Sequence, residues 1–276
     1  MTGRGTRFLE AQRRFFAEAD PGHFFWQTQN PYLARTERDL LDGFPVEPGQ
    51  VVLEVGCGEG GNLVNLLAGR PVAPRLVVGV ELFEGKLTFA RRHGVPARLV
   101  CADALALPFR EAVVDAILCR DLLHHLERRE AALAEIRRVS KPDGAVWVVE
   151  PNGRNPLIWL LALVRPHERG QLRNSVASLH ALVARHFPSV EIEVRQPLPL
   201  YRLLLHYRLG CPRLGGSRRF AAAMNGLDRL FRAIWPRSGW AYIIAKPGAR
   251  PGRTATERDR DGGDGPPSSP GSAGNP

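Results

Sequence analysis

The sequence predicts an α/β fold, a doubly wound and mostly parallel sheet of seven strands. Apolar runs of strand length alternate with helical patterns from Val51 onward, the signature of βαβ units. Four glycines fall between Gly56 and Gly61, directly after the first apolar run. They mark a tight strand-to-helix turn. The chain has 276 residues, 44% of them hydrophobic, enough to cover such a sheet on both faces.

The elements follow in order. Residues 1–45 read as a helical, aromatic-rich cap segment with Phe8, Phe15, Phe16, Phe24, Phe25 and Trp26. A second helix begins at Pro31, a position where a helix tolerates proline. Strands are expected at Val51–Val55, Leu76–Val80, Arg98–Cys101, Val113–Leu118 and Ala145–Val149. Helical patterns at 61–68, 84–92 and 128–139 separate them. Lys141-Pro-Asp-Gly144 is expected to be a turn before the fifth strand. Residues 46–152 thus form one core. Residues 153–246 complete the sheet, with a helix at 176–185 and strands at Val190–Val194 and Trp240–Ala245. Between those strands lies an insertion, 196–239. Its second part has Phe220, Met224, Leu227, Phe231 and Ile234 at helical spacing, with arginines on the other faces. Such a helix either packs on the sheet, or covers an apolar substrate or rests on a membrane surface. Residues 247–276 have almost no apolar side chains and are expected to be disordered.

The net charge of +10 is unevenly placed. Residues 1–150 hold 19 basic and 20 acidic side chains, whereas 151–246 hold 15 and 4, a balance of +11. An anionic partner is one explanation: lipid head groups, nucleic acid or a phosphorylated substrate. The amino terminus is polar and basic, and the longest apolar run, Leu157–Val164, is too short for a bilayer. A cytoplasmic location is expected, with a membrane-peripheral one as the alternative. No two of the four cysteines have C-x-x-C spacing, so neither a cysteine zinc site nor a redox motif is expected, and no metal is assigned. Cys57 and Cys119 are expected at neighbouring strand ends, buried and reduced.

The chemistry concentrates at Leu53-Glu-Val-Gly-Cys-Gly-Glu-Gly60. Glycine lets backbone approach a ligand with no Cβ in the way. Glu54 and Glu59 flank the turn. A dinucleotide fold would set its pyrophosphate here, and Gly56-Cys-Gly58-Glu-Gly-Gly61 does satisfy G-x-G-x-x-G. One like-charge contact at ~4 Å and an effective dielectric of ~20 costs about 4 kcal/mol. A ligand carrying positive charge reverses that sign.

With Val78-Gly-Val-Glu81, Cys101-Ala-Asp-Ala-Leu-Ala-Leu-Pro-Phe109 and Asp115-Ala-Ile-Leu-Cys-Arg-Asp-Leu-Leu-His-His-Leu126, these motifs resemble the class I S-adenosylmethionine-dependent methyltransferases. Glu135-Ile-Arg-Arg-Val-Ser-Lys-Pro-Asp-Gly-Ala145 extends the likeness, which covers residues 50 to 152 and leans toward the ubiquinone and menaquinone biosynthesis methyltransferases. It implies a Rossmann-like sheet and S-adenosylmethionine as methyl donor. Ligands of such sheets bind past the carboxyl ends of the strands. Gly56, Cys57, Gly58 and Gly60 would pass beneath the methionine part of the cofactor. Glu54 would favour its ammonium, directly or through water, and Asn62 would be a further cofactor contact. Glu81 would accept the ribose hydroxyls, Leu82 would line that edge, Asp103 would meet the adenine amino group and Ala104 would supply backbone. The resemblance places Cys119 and Arg120 against the methionine portion.

Methyl transfer is an in-line displacement in which the enzyme positions the nucleophile and removes water. A general base is needed only if the nucleophile must lose a proton. His124 and His125 are the candidates, against the alternative that they only build the turn. His23 and His206, in the two cap segments, are weaker ones. The aromatic amino-terminal segment and the apolar insertion suit a small or lipid-like acceptor. The basic second half keeps an RNA or protein methyltransferase open, although no Asn/Asp-Pro-Pro-Tyr follows the fourth strand. A non-catalytic scaffold fits poorly with Glu54, Glu81 and Asp103 all present.

Overall fold

A computed structural model describes residues 17–70 and 73–247. The early phenylalanines at 8, 15 and 16 and the tail from 248 lie outside the described residues. Strands β1 (Val51–Val55), β2 (Leu76–Glu81), β3 (Arg98–Cys101), β4 (Val114–Arg120), β5 (Ser140–Pro151), β6 (Val190–Arg195) and β7 (Tyr242–Pro247) form one sheet. Their order is β3-β2-β1-β4-β5-β7-β6. The first five run parallel, and β7 is antiparallel to both its neighbours. The order reverses between β1 and β4, which opens a crevice at their carboxyl ends.

The helices are α1 (Pro21–Gln29), α2 (Pro31–Leu40), α3 (Gly61–Leu67), α4 (Glu84–Arg92), α5 (Arg129–Val139), α6 (Pro156–Val164), α7 (Val176–Ala184), α8 (Leu200–Leu204) and α9 (Arg218–Ile234). Successive side chains of a strand point to opposite faces, and β1 shows it. Val51, Leu53 and Val55 join the core layer beneath α5 and α7, with Leu133, Ile136, Leu179 and Val183. Val52 joins the opposite layer, with Leu63 and Leu66 of α3 and Leu87 of α4. Glu54 shares the face of Val52, so a carboxylate enters an otherwise apolar layer.

The Lys141–Gly144 segment is not a separate turn. β5 begins directly after α5 and pairs Ser140 with Val114, then Ala145 with Ala116. The intervening residues bulge out of register. Pro142 has no N–H for the ladder, and Lys141 leaves the strand to ion-pair with Asp115 at 2.5 Å.

The amino-terminal helices and the 196–239 insertion meet. Trp26, Tyr32 and Leu33 pack with Tyr201, Leu205 and Met224 in a third apolar cluster. The Trp26 indole N–H donates to the Leu205 carbonyl at 2.5 Å. The two segments therefore build one cap.

Candidate active site

The glycine turn closes β1 onto β2. The Gly56 and Cys57 N–H groups both donate to the Val80 carbonyl, at 2.8 and 2.9 Å. Gly56 adopts φ +78°, and a Cβ there would lie 2.9 Å from the Leu122 side chain. Gly60 adopts φ +83° and would press a Cβ to 2.7 Å from Val95. Both conditions, left-handed backbone and no lateral space, demand glycine. The first contact also shows that the segment after β4 lies against the turn.

Glu81 ends β2 and organises the loop around itself. One carboxylate oxygen accepts the Gly58 N–H at 3.0 Å; the other accepts those of Leu82 and Phe83 at 2.9 and 3.1 Å. Backbone donors thus hold the acid at the strand end in a fixed orientation. The Leu82 side chain stands exposed at the rim. Asp103 is also exposed; it accepts the Leu105 N–H at 2.9 Å, which fixes the turn after β3, with Ala104 buried beneath it.

Glu54 is fully buried. One oxygen accepts from the Asn62 amide at 2.7 Å. The other has no hydrogen-bond partner among the described residues. Burial pushes this carboxyl up to about 7, the Asn62 hydrogen bond and Arg120 opposing. Asn62 in turn accepts from the Gln27 amide at 3.0 Å, so α1 is tied directly to the turn. Glu59 accepts the Asp20 N–H at 3.1 Å and lies 3.5 Å from Lys86. Cys57 and Cys119 are buried free thiols, and burial raises both well above the usual range. The Cys119 side chain sits in the core layer, so only its backbone can border a ligand.

Arg120 is turned toward the cap rather than open to a ligand. Its guanidinium pairs with Glu37 of α2 at 2.6 Å and with Asp121 at 3.1 Å. Arg202 of α8 binds the same Glu37. Burial opposes the charge on Glu37, but the two arginines hold its carboxyl below the ordinary value. Asp121 has φ +53°, a left-handed conformation that a non-glycine residue adopts at a cost.

His124 is buried, and its Nδ1 lies 2.7 Å from Glu150 of β5. Nε2 stands 3.3 Å from Glu168. Burial alone would lower its pKa; Glu150 and Glu168 reverse that and raise it to about 10. His125, its ring 3.9 Å from that of His124, is pushed down to about 3 by burial and then by the neighbouring charge. The two carboxylates thus favour the charged form of His124, while burial beside it favours the neutral form of His125. Glu150 also accepts the Leu122 and Leu123 N–H groups and the Asn174 amide. His206 is buried against Tyr207 and faces Arg165 at 2.8 Å; burial and that arginine lower its pKa. His23 is exposed on α1, 5.8 Å from Trp26.

Residues 53–148 match the family model described as a methyltransferase domain. The chain is 31% identical over 156 residues to a ubiquinone biosynthesis O-methyltransferase of Hahella chejuensis, covering 52% of this chain and 63% of that one. It is 35% identical over 118 residues to the 24-methylenesterol C-methyltransferase 2 of Arabidopsis thaliana, covering 41% and 32%. The chain thus spans less than two thirds of these relatives. The fold is that of Haemonchus contortus phosphoethanolamine N-methyltransferase 2, solved in complex with S-adenosyl-L-methionine: TM-score 0.58, 19% identity, 82% of this chain and 56% of that one.

Over residues 53–148 the chain is thus similar to the methyltransferase domain family, on a sheet of the same fold as a methyltransferase. The match stops near the end of β5, so the cap lies outside it. Gln27, Glu37, Asp121, Glu150, Glu168 and Arg202 all reach the site region and were not singled out by sequence. The Glu150-Pro-Asn sequence resembles relatives, but its role needed the fold. Glu37 and Arg202 lie on helices that offered no motif.

Proposed function

We propose that this chain transfers a methyl group from S-adenosylmethionine to a small, apolar or lipid-like acceptor. The observation that carries the donor is the acidic, glycine-lined strand end: Glu81 oriented by three backbone donors beside a turn flanked by Glu54 and Glu59. Glu81 would take the ribose hydroxyls, Asp103 the adenine amino group, and Glu54 with Asn62 the ammonium. The acceptor's electron pair forms the new bond to the methyl carbon as the bond to sulfur breaks and the neutral thioether leaves. The chain's own residues orient the two reactants and shut out water. His124 and His125, given their pKa positions, shape the acceptor side of the turn rather than shuttle protons.

The aromatic cap supports an apolar acceptor. Trp26, Tyr32, Tyr201 and Met224 face one another over the carboxyl end of the sheet. Part of the basic surplus of the second half is turned inward, toward acids of the first, which weakens the nucleic-acid reading without removing it. Arg202 binds Glu37, Arg208 binds Asp20 and Arg185 binds Glu130.

Calorimetry with S-adenosylmethionine and S-adenosylhomocysteine tests the donor. Wild type should bind in the micromolar range, roughly −8 kcal/mol, and Glu81→Ala should bind clearly more weakly. Equal affinity in that variant removes the ribose assignment. Incubation with radiolabelled donor, followed by partition of a lipid extract and an RNA fraction, then tests the acceptor class; label in RNA alone would overturn it.

A further inference from the structure

We propose that His124, His125 and Glu168 form a binding site for a divalent metal ion of the zinc class. One ligand atom from each lies within 4.8 Å of the other two. The His124 Nε2 to Glu168 Oε2 separation is 3.3 Å, which matches two donors on one tetrahedral ion at bond lengths of ~2.0–2.1 Å. The widest spacing, up to 4.8 Å, would have to shorten on binding, by rotation of the His125 ring or the Glu168 side chain.

The support behind this trio is that of a built site. His124 is 1% exposed, and its Nε2 lies within ion-pair distance of Glu168 without a well-directed hydrogen bond. Its Nδ1 faces Glu150 at 2.7 Å, the carboxylate–histidine arrangement that fixes tautomer and ring plane in metal sites. Glu150 is itself held by the Leu122 and Leu123 N–H groups and the Asn174 amide. Glu168 accepts from Gln171 and has His167 at 3.9 Å. The 3-10 turn Pro166–Arg173 carries Glu168 onto the histidine turn so tightly that a Cβ at Gly170 would fall 1.8 Å from the His124 carbonyl.

Two imidazoles and one carboxylate suit zinc or a neighbouring first-row ion rather than magnesium. Three protein ligands leave a coordination position open. The trio follows β4, two residues past Leu122, which packs on Gly56. The open position therefore suits an oxygen of the acceptor, whose hydroxyl the ion would bind and acidify. That last role rests on the proposed methyl transfer; metal binding does not.

The test uses the full chain after chelator treatment. Equilibrium dialysis with Zn2+ should give one ion per chain, and Co2+ should show the intense d–d absorption of a tetrahedral site. His125→Asn and Glu168→Gln, both at partly exposed positions, should each weaken Zn2+ by more than the about 10–100-fold that loss of an outer partner costs. Circular dichroism checks that they fold. S-adenosylhomocysteine calorimetry on the same samples reports the donor site separately, so a failed metal site and a failed methyltransferase reading are distinguishable. Absence of stoichiometric Zn2+ in wild type, or equal affinity in both folded variants, overturns the site.

Discussion

Glu54 places a fully buried carboxylate in a largely apolar layer, with Asn62 as its hydrogen-bond donor, and the consequence is measurable. Its folded-state pKa, pushed up to about 7, lies above the ordinary value of 4.5. The folded chain therefore binds a proton that the unfolded chain has released between those values. Stability falls as pH rises from 4.5 to 7 and then levels off, a loss of about 3 kcal/mol at 1.36 kcal/mol per unit. Glu54→Gln should remove that slope and make the ligand-free protein more stable at pH 8, read by urea denaturation. The same variant should bind S-adenosylmethionine more weakly, since it lacks the charge proposed to meet the ammonium. In wild type, binding below pH 7 should release protons, seen as a dependence of calorimetric heat on buffer ionisation enthalpy. A stabilised variant with unchanged donor affinity would detach Glu54 from the cofactor.

The glycine turn can be dissected at the scale of the element. Gly56 and Gly49 have nearly the same φ, +78° and +79°, but only Gly56 is crowded, by Leu122. Gly49→Ala should cost about 1–2 kcal/mol, the left-handed penalty alone. Gly56→Ala should cost more, because Leu122 must shift, and should also weaken donor binding through the displaced turn. Chemical denaturation of the two variants checks the difference; equal costs would mean that Leu122 yields freely. The turn was legible because its requirement is local, four glycines after a five-residue apolar run. The β5 bulge was not. Lys-Pro-Asp-Gly reads as a turn in any window, and only the pairing of Ser140 with Val114 draws it into the strand.

Across the whole molecule, Glu37 is the buried ionic link between cap and sheet, beside the neutral tie from Gln27 to Asn62. It binds Arg120 from β4 and Arg202 from α8 while itself on α2. Glu37→Gln leaves buried Arg120 with Asp121 alone and takes this carboxylate from half-buried Arg202, and should destabilise by up to about 3–5 kcal/mol. Replacing all three by apolar residues of similar volume should restore much of that loss, with thermal unfolding as the readout. If the single variant is as stable as wild type, the cap is held by its apolar cluster instead. The charge asymmetry belongs to this scale too: arginines of the second half dock on acids of the first. Among the described residues, no helix is long and apolar enough to cross a membrane.

By itself the sequence determined the alternation of strand and helix, the glycine turn and the acids at the ends of β1 and β2, because period and turn chemistry act over a few neighbouring residues. Tertiary structure alone decided that Glu37 meets Arg120 across 83 positions, that Glu168 reaches His124, and that two distant apolar segments form one cap. Contacts between residues far apart in the chain carry no local pattern. They exist only once the sheet order has brought their elements to the same edge.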